Sequence, residues 1–300
     1  MNTPLNPFLL ALACTVLYSQ ALLAQEPEGT RLDPEKSRQT LLSKQVNQES
    51  LVWLEAGGEK FIGLWEPDTS GSPLGAVLML HGEGQTADWP NSLNSLRLNL
   101  TDHGWATLSI SLPNTAPANI PARSSEANTD VQTSKTGNAS RTKNTVNPRI
   151  DAATKFLNTK GQYNIVLLGQ GSGAFRAASY LAPDSQTKKT AAQRSARALV
   201  MINARNISTE SSTPLTDLLI NRQLPVLDIF YGDHFLDEPE AAARLKAAKK
   251  NRLLYYQQYK MMAPTNLYDI DSTDDRSENR LTRRVRGFLN KHAKGVEIEG

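Results

Sequence analysis

The residues best spaced for chemistry form a glycine-rich turn, GQGSG, at positions 169–173. An apolar run of strand length precedes the turn, and residues 174–181 have the composition of a helix. A strand that enters a helix through such small residues is the outline of a nucleophile elbow, whose middle residue holds positive φ and attacks the substrate. Enzymes place Ser, Cys or Asp at that middle position. Here it holds Gly171, and the nearest hydroxyl group, on Ser172, comes one residue later.

Two interpretations of Ser172 remain open. Its side chain would leave the turn toward the first helical positions, where serine commonly accepts hydrogen bonds from exposed backbone N–H groups. The catalytic alternative makes Ser172 the nucleophile of an ester or acyl hydrolase, with Asp233 and His81 as partners. We favour the capping role, because no histidine is placed to take the proton from the hydroxyl group.

Two cofactor sites can be weighed at the same positions. The glycine turn partly matches a dinucleotide fingerprint, but the next predicted strand runs into residues 203–205 without an acid to hold a ribose. His81, Asp233 and His234 follow predicted strands and could converge on a metal, yet polar residues are common on such loops in any parallel sheet. We therefore predict neither a cofactor nor a metal.

Apolar runs alternate with helical patterns from residue 51 to residue 292, which predicts one domain with a doubly wound, mostly parallel sheet and helices on both faces. Several runs are apolar throughout, as is typical of strands that are covered on both sides. The predicted strands are 51–54, 60–65, 76–80, 105–113, 164–168, 198–203, 225–231 and 266–270. The predicted helices are 92–102, 149–157, 174–181, 214–220, 239–261 and 278–292.

Two segments lack this pattern. Residues 114–147 are rich in Ser, Thr, Asn and Ala and nearly free of large apolar residues, so they cannot bury enough surface to offset the entropy of ordering. We predict a disordered surface insertion there. Residues 25–50 are polar and form either a loose extension or a peripheral helix, and residues 293–300 form a tail.

The first 24 residues carry no charged side chain and contain an apolar run, Phe8 to Leu17, of signal-peptide length. Small residues allow cleavage after Ala21 or Ala24, which predicts export to the periplasm, with an uncleaved anchor as the alternative. The only cysteine, Cys14, would be lost, which excludes a disulfide and a cysteine nucleophile from the mature chain. We predict no transmembrane span after cleavage.

The net charge of the chain does not indicate which kind of partner it binds. The formal net charge is only +3, and the basic residues are densest in the helical patterns between Arg244 and Lys294. These helices are interpreted as solvated faces, with contact to anionic lipid or cell-wall polymer as the alternative. Asp228, inside a predicted strand, is expected at a sheet edge or paired with an arginine, in a structural role. We predict a small molecule or an envelope protein as partner, and no nucleic acid.

Three loops together resemble the α/β-hydrolase fold: residues 81–82 (HG) after one strand, the turn at 169–173 after another, and 231–233 (YGD) after a third. More narrowly, residues 88–90 (DWP), 104–108 (GWATL) and the GQG turn resemble a family of exported bacterial proteins grouped as a domain of unknown function. The resemblance spans residues 52–292 apart from the insertion. It implies a hydrolase-like fold and no particular substrate.

The resemblance implies a nucleophile at the elbow, an acid after a later strand and a histidine after the last strand. Gly171 holds the first position, and Asp233 holds the second, with Asp237 as second choice. No histidine follows residue 270 until His292, within the last predicted helix. The other histidine near a matched loop, His81, ends a strand and does not occupy the triad position.

The oxyanion hole that the resemblance implies is matched better than the triad. Its N–H donors could still come from Gly82, Glu83, Gly84 and the Ser172 amide. Loss of a nucleophile or base from a triad costs on the order of a millionfold in rate. A site that lacks both is therefore not expected to perform triad chemistry. We predict a non-catalytic or very weakly catalytic α/β-hydrolase-fold protein that acts by binding, with a non-standard hydrolase using Ser172 and Asp233 as the alternative.

Overall fold

The computed structural model describes residues 34–90, 92–113, 134–182, 196–207, 213–262 and 278–294. The chain divides into a short N-terminal unit, residues 1–37, and a large unit, residues 38–300. Only residues 34–37 of the short unit are described, and the site discussed below belongs to the large unit. Within the described residues, no helix is both long enough and apolar enough to cross a bilayer.

The described strands, in chain order, are β1 (Leu51–Ala56), β2 (Glu59–Glu66), β3 (Gly75–Leu80), β4 (Trp105–Ile110), β5 (Ile165–Gln170), β6 (Leu199–Ile202), β7 (Val226–Phe230) and β8 (Tyr256–Lys260). The described helices are α1 (Pro34–Gln45), α2 (Leu93–Asn99) with a 3₁₀ turn (Leu100–His103), α3 (Ser134–Thr159), α4 (Ser172–Leu181), α5 (Leu215–Leu218), α6 (Asp237–Lys250) and α7 (Arg280–His292).

The eight strands of the described chain form one sheet in the order β1-β2-β4-β3-β5-β6-β7-β8. The β1–β2 and β2–β4 pairs are antiparallel, and every pair from β4 through β8 is parallel. The prediction of a doubly wound, mostly parallel sheet is confirmed. Because the carboxyl ends of parallel strands meet at one edge, the loops after β3, β5 and β7 gather there.

Both faces of the sheet are covered, as the apolar runs predict. Successive side chains of a strand point to opposite faces. In β3, Leu78 and Leu80 join the core beneath α3 and α4, whereas Val77 and Met79 join the core beneath α2 and α7. All six β3 residues are buried. This two-sided burial holds the strand end that leads into His81 in a fixed position.

The predicted helix over 239–261 is wrong in its second half, because α6 ends at Lys250 and Tyr256–Lys260 forms β8, parallel to β7. Arg252 breaks the helix with a left-handed φ of 54°. The strand escapes sequence detection because it is YQQYK, with polar side chains toward both faces. The predicted strand over 266–270 lies outside the described residues.

The structure also corrects the predicted disordered insertion over 114–147. Residues 134–147 belong to helix α3, which begins at Ser134, and residues 114–133 lie outside the described part. Val146 and Ile150 are both buried, so the apolar stripe of this helix begins before the predicted start at Arg149. In the polar segment 25–50, residues 34–45 form α1, the helical alternative.

Candidate functional site

The elbow has the backbone geometry of a strand-to-helix nucleophile turn. β5 ends at Gln170, α4 begins at Ser172, and Gly171 between them has φ 57° and ψ −124°. Its N–H donates to the Ile202 carbonyl at 2.9 Å, and its own carbonyl accepts from the Arg205 N–H at 3.0 Å. The loop that follows β6 therefore holds the turn from one side.

Close packing explains two of the three elbow glycines. A Cβ on Gly169 would lie 2.4 Å from the Ala174 backbone, and one on Gly173 would lie 2.2 Å from the Leu80 carbonyl oxygen. Neither position can hold a side chain without moving backbone. A Cβ on Gly171 would meet only the Gly82 Cα, at 3.7 Å, which is ordinary contact. The nucleophile position thus has room for a side chain, and its positive φ is the strain that a side chain would meet.

Ser172 lies beside the predicted oxyanion loop. Its buried hydroxyl oxygen accepts a hydrogen bond from the Glu83 backbone N–H at 2.6 Å, a bond to this loop instead of one within the first turn of the helix. The neighbouring Gly82 N–H donates to the Gln85 side-chain oxygen at 2.8 Å. Gly84 has a φ of 75° and lies on the exposed part of the loop. Two loop amides that could stabilise an oxyanion are therefore bonded to the protein's own side chains.

His81 is buried, and its ring is bonded to backbone through both nitrogens. Nε2 accepts from the Leu112 N–H at 2.9 Å, so Nδ1 carries the proton and donates to the Gly82 carbonyl at 2.7 Å. Burial lowers the pKa of His81 from 6.5 to about 4, which the Gly82 bond opposes and the nearby charge of Arg176 supports. His81 is neutral near pH 7 and ties the end of β3 to the segment after β4.

The arginines near His81 were missed by sequence reasoning. Arg176 is buried on α4, and Arg149 on α3 donates to the Ser111 carbonyl at 3.1 Å while its guanidinium lies 5.0 Å from the Phe61 ring centre. The available signal was Arg176 itself, a charge inside the otherwise apolar stretch AFRAA. Their positive charges further favour a neutral His81.

The loop after β7 is organised by Asp237 rather than by Asp233. The Asp237 carboxylate is buried, and its Oδ2 accepts three successive backbone N–H groups, from Gly232 and Asp233 at 3.0 Å and from His234 at 3.2 Å. Arg205 donates to the other oxygen, Oδ1. Asp237 therefore fastens the loop and links it to the segment after β6, which also holds the elbow.

The Asp233 side chain is exposed on this loop. Burial and the neighbouring Asp233 charge raise the pKa of Tyr231 to about 12. A carboxylate at this position could orient a histidine, but the described residues place none against it. His234 packs its ring against Phe235, with the ring centres 4.3 Å apart.

Asp228 is paired with an arginine, as one of the two sequence alternatives predicts. Arg244 on α6 forms two hydrogen bonds to its carboxylate, at 2.8 and 3.1 Å. The Tyr256 hydroxyl adds a bond of 2.6 Å and the Gln258 amide one of 2.8 Å. Burial, followed by the Asp228 charge, raises the pKa of Tyr256. This network joins β7, β8 and α6 beneath the Asp237 loop.

The structure therefore brings Ser172 to the oxyanion loop but does not assemble a triad from the described residues. All four histidines are described, and none bonds to Ser172 or Asp233: His103 lies 3.7 Å from Glu278, and His292 bonds to Gln257. Among the described residues, no cluster of His, Cys, Asp or Glu is arranged to hold a metal ion.

Solved structures place this architecture in a known class. Est1E from Butyrivibrio proteoclasticus is 11% identical with a TM-score of 0.54, over 81% of this chain and 98% of that chain. An esterase from Pyrococcus furiosus is 14% identical with a TM-score of 0.52, over 81% and 90%. A dienelactone hydrolase from Anabaena variabilis is 18% identical with a TM-score of 0.50, over 81% and 97%. The protein has the α/β-hydrolase fold.

The family is narrower than the fold. The chain belongs to the family described as Protein of unknown function (DUF3530), whose match covers residues 6–291. No curated protein matches the sequence.

Proposed function

We propose that this protein is an exported α/β-hydrolase-fold protein of the bacterial cell envelope that lacks a working Ser-His-Asp triad and acts by binding a ligand or partner. The observation that carries the proposal is the state of the elbow. Gly171 occupies the nucleophile position with room for a side chain, and the adjacent Ser172 hydroxyl is bonded to the Glu83 N–H. The backbone of the elbow has the shape that presents a nucleophile, but the residue at its centre, Gly171, has no side chain to supply one.

The remaining triad positions support the same proposal. Both ring nitrogens of His81 are bonded to backbone, so His81 has no free nitrogen to accept a proton from Ser172. Both carboxylate oxygens of Asp237 are bonded as well. Without a base, a serine hydroxyl stays a weak nucleophile, and only about 10³–10⁴ of rate over water remains from binding and oxyanion stabilisation.

The test is labelling of the mature protein with a fluorophosphonate probe that reacts with activated serines. We expect no labelling of the wild type and none of Ser172→Ala, because none of the described groups is placed to activate Ser172. Wild-type labelling that disappears in Ser172→Ala would overturn the proposal in favour of a serine hydrolase. A known serine esterase labelled in parallel shows that the probe is reactive.

Rebuilding the missing groups tests whether the loss is chemical. We expect Gly171→Ser alone to leave hydrolysis of p-nitrophenyl acetate at the wild-type level. Addition of Ser272→His, in the segment where the fold places its histidine, is expected to raise hydrolysis above both single variants. Residue 272 lies outside the described residues. Activity in Gly171→Ser alone would mean that a base is already present.

Export rests on the uncharged N-terminal stretch and its apolar run. Mass spectrometry of the protein isolated from the cells that produce it should find a chain that begins at Leu22 or Gln25, after cleavage at Ala21 or Ala24. A cytoplasmic protein that begins at Met1 would contradict this part of the proposal.

A further inference from the structure

A basic groove runs between β8, the last strand of the described sheet, and helix α7. We call this the β8–α7 groove; its volume is about 750 Å³. Its strand wall includes Tyr259 and Met261, and its helix wall includes Arg284, Gly287 and Lys291. It lies apart from the elbow, which is built from β5, α4 and the loop after β3.

The groove is positively charged. The basic residues that line it are Lys260, Arg280, Arg283, Arg284 and Lys291, and none of the described residues that line it is acidic. Lys260 pairs with Glu238, and the Arg284 guanidinium lies 3.9 Å from the centre of the Tyr259 ring. The side chains of Arg280, Arg283 and Lys291 are exposed and form no ion pair within the described part of the chain. The groove therefore suits a ligand with several negative charges.

The strand wall offers backbone groups that pair with no other strand of the described sheet. The Tyr255 carbonyl and the Met261 N–H bond to β7, and backbone groups alternate in direction along a strand. The N–H and carbonyl groups of Tyr256, Gln258 and Lys260 consequently point away from the sheet. A free edge of this kind can pair with an extended peptide from another chain.

The helix wall has no side chain near its centre, because Gly287 lies there. A Cβ at this position would meet nothing within 4 Å, so packing among the described residues does not require glycine. Glycine inside a helix costs about 1 kcal/mol relative to alanine. The missing side chain leaves space between the basic residues for an incoming backbone or side chain.

The two walls run side by side in opposite directions. The Gln257 amide bonds to His292 at 2.8 Å, near the end of α7. Two residues later in the strand, the Tyr259 ring lies under Arg284, which comes earlier in α7. Alternate residues of a strand repeat about every 7 Å, and helix residues four apart repeat about every 6 Å. Acidic side chains at alternate positions of an added strand would therefore follow the spacing of Arg280 and Arg284.

We propose that the β8–α7 groove binds an extended acidic peptide segment of a partner protein, which adds to β8 as a further strand and pairs its carboxylates with the basic residues of α7. Anionic lipid or a phosphate polymer could satisfy the charges but has no use for the free backbone edge, which favours a peptide. The groove and the elbow share no lining residue, so this inference and the proposed absence of catalysis can fail separately.

The probe is a fluorescein-labelled octapeptide of alternating glutamate and valine, measured by fluorescence anisotropy with the mature full-length protein. We expect saturable binding that weakens with salt, and no binding of the peptide in which lysine replaces glutamate. Arg280→Glu with Arg284→Glu should weaken binding by about tenfold or more, since each reversed charge repels the probe. The charge-matched control on the exposed face of α6, Lys246→Glu with Lys249→Glu, should stay within about twofold.

Strand addition is tested by Lys260→Pro, which removes an outward N–H of β8 at an exposed edge position where proline is tolerated. We expect about tenfold weaker binding of the acidic octapeptide, with Lys260→Gln as the control for the lost charge. Circular dichroism and the thermal midpoint of each variant verify folding. Equal affinities of Lys260→Pro and Lys260→Gln, together with tight binding of inorganic polyphosphate or phosphatidylglycerol vesicles, would overturn the proposal in favour of an anion site.

The chain itself carries a rival ligand, the acidic sequence 269–275 (DIDSTDD), which follows β8 and precedes α7 in the sequence and lies outside the described residues. Replacement of Asp269, Asp271, Asp274 and Asp275 by asparagine distinguishes the two cases. If the octapeptide binds only after this replacement, the groove serves its own chain and the external partner is ruled out. Unchanged affinity supports the proposal.

Discussion

The elbow and the loop after β7 lie on the same edge of the sheet, yet different forces hold them. The elbow depends on close backbone packing, in which Gly169 and Gly173 let α4 pass against β5 and the end of β3. The loop after β7 depends on buried charge, with Asp237 bonded to three amides and Asp228 paired with Arg244. One region has the backbone shape of a nucleophile elbow with glycine at its centre, and the other holds carboxylates that support the fold.

This contrast shows that two loops at one edge of a sheet can be held by different forces. The elbow keeps its geometry with glycine at position 171, because that geometry depends on the neighbouring glycines. The buried acids of the second region, Asp228 and Asp237, are bonded within the protein, so their charges stabilise the loop and the elements next to it. Changes in the two regions should therefore have different experimental signatures.

The largest effect is expected in the charged region. Arg244→Met leaves the fully buried Asp228 carboxylate without its cation, and removal of one partner from a buried pair costs about 3–5 kcal/mol. Urea unfolding followed by circular dichroism measures the loss. Lys249→Met, on the exposed face of the same helix, should change the free energy of unfolding by less than about 0.5 kcal/mol. Equal effects of the two substitutions would show that the Asp228 pair does not hold this region.

The next largest effect is a pH dependence of the free energy of unfolding, which arises from His81 beside the elbow. The pKa of His81 falls from 6.5 to about 4 on folding, so the unfolded chain binds more protons between these values. The contribution of His81 to the free energy of unfolding is complete above pH 6.5. It is lost as the pH falls toward 4, which lowers the free energy of unfolding by roughly 3 kcal/mol.

His81→Gln removes that titration and isolates the effect. The difference in unfolding free energy between wild type and His81→Gln should shrink as pH is lowered from 7 to 4, because the wild type alone loses the His81 contribution. Urea unfolding at steps of pH across this window measures it. Parallel pH profiles for the two proteins would mean that His81 is not held neutral by the fold.

The smallest effect separates two glycines within the elbow. Gly173→Ala would drive a Cβ into the Leu80 carbonyl, and overpacking of this kind costs about 1–3 kcal/mol or more. Gly171→Ala meets only a 3.7 Å contact, so its cost should come from strain at positive φ alone, about 1–3 kcal/mol, without a clash against backbone. Thermal and urea unfolding of both variants give the comparison. Gly171→Ala as the more damaging change would contradict a nucleophile position that has room for a side chain.

The fold could be predicted wherever strands are buried on both faces. Continuous apolar runs identify β3, β5 and β6, since only such a run survives burial on two sides. β8 was missed because Gln257 and Gln258 face a histidine and a buried carboxylate, partners that local composition does not reveal. The early start of α3 was missed because its N-terminal half is polar, and its apolar stripe begins only at Val146.

The sequence by itself determined which residue types stand at the elbow and in the later part of the chain. Gly171 at the elbow and the absence of histidine between His234 and His292 are facts of composition and order, which folding cannot change. Only the tertiary structure decided what the remaining groups do. Ser172 bonds to Glu83 across 89 positions of chain, and Arg205 reaches Asp237 across 32. Such pairs form because separate strands end at one edge of the sheet, a proximity that no local pattern encodes.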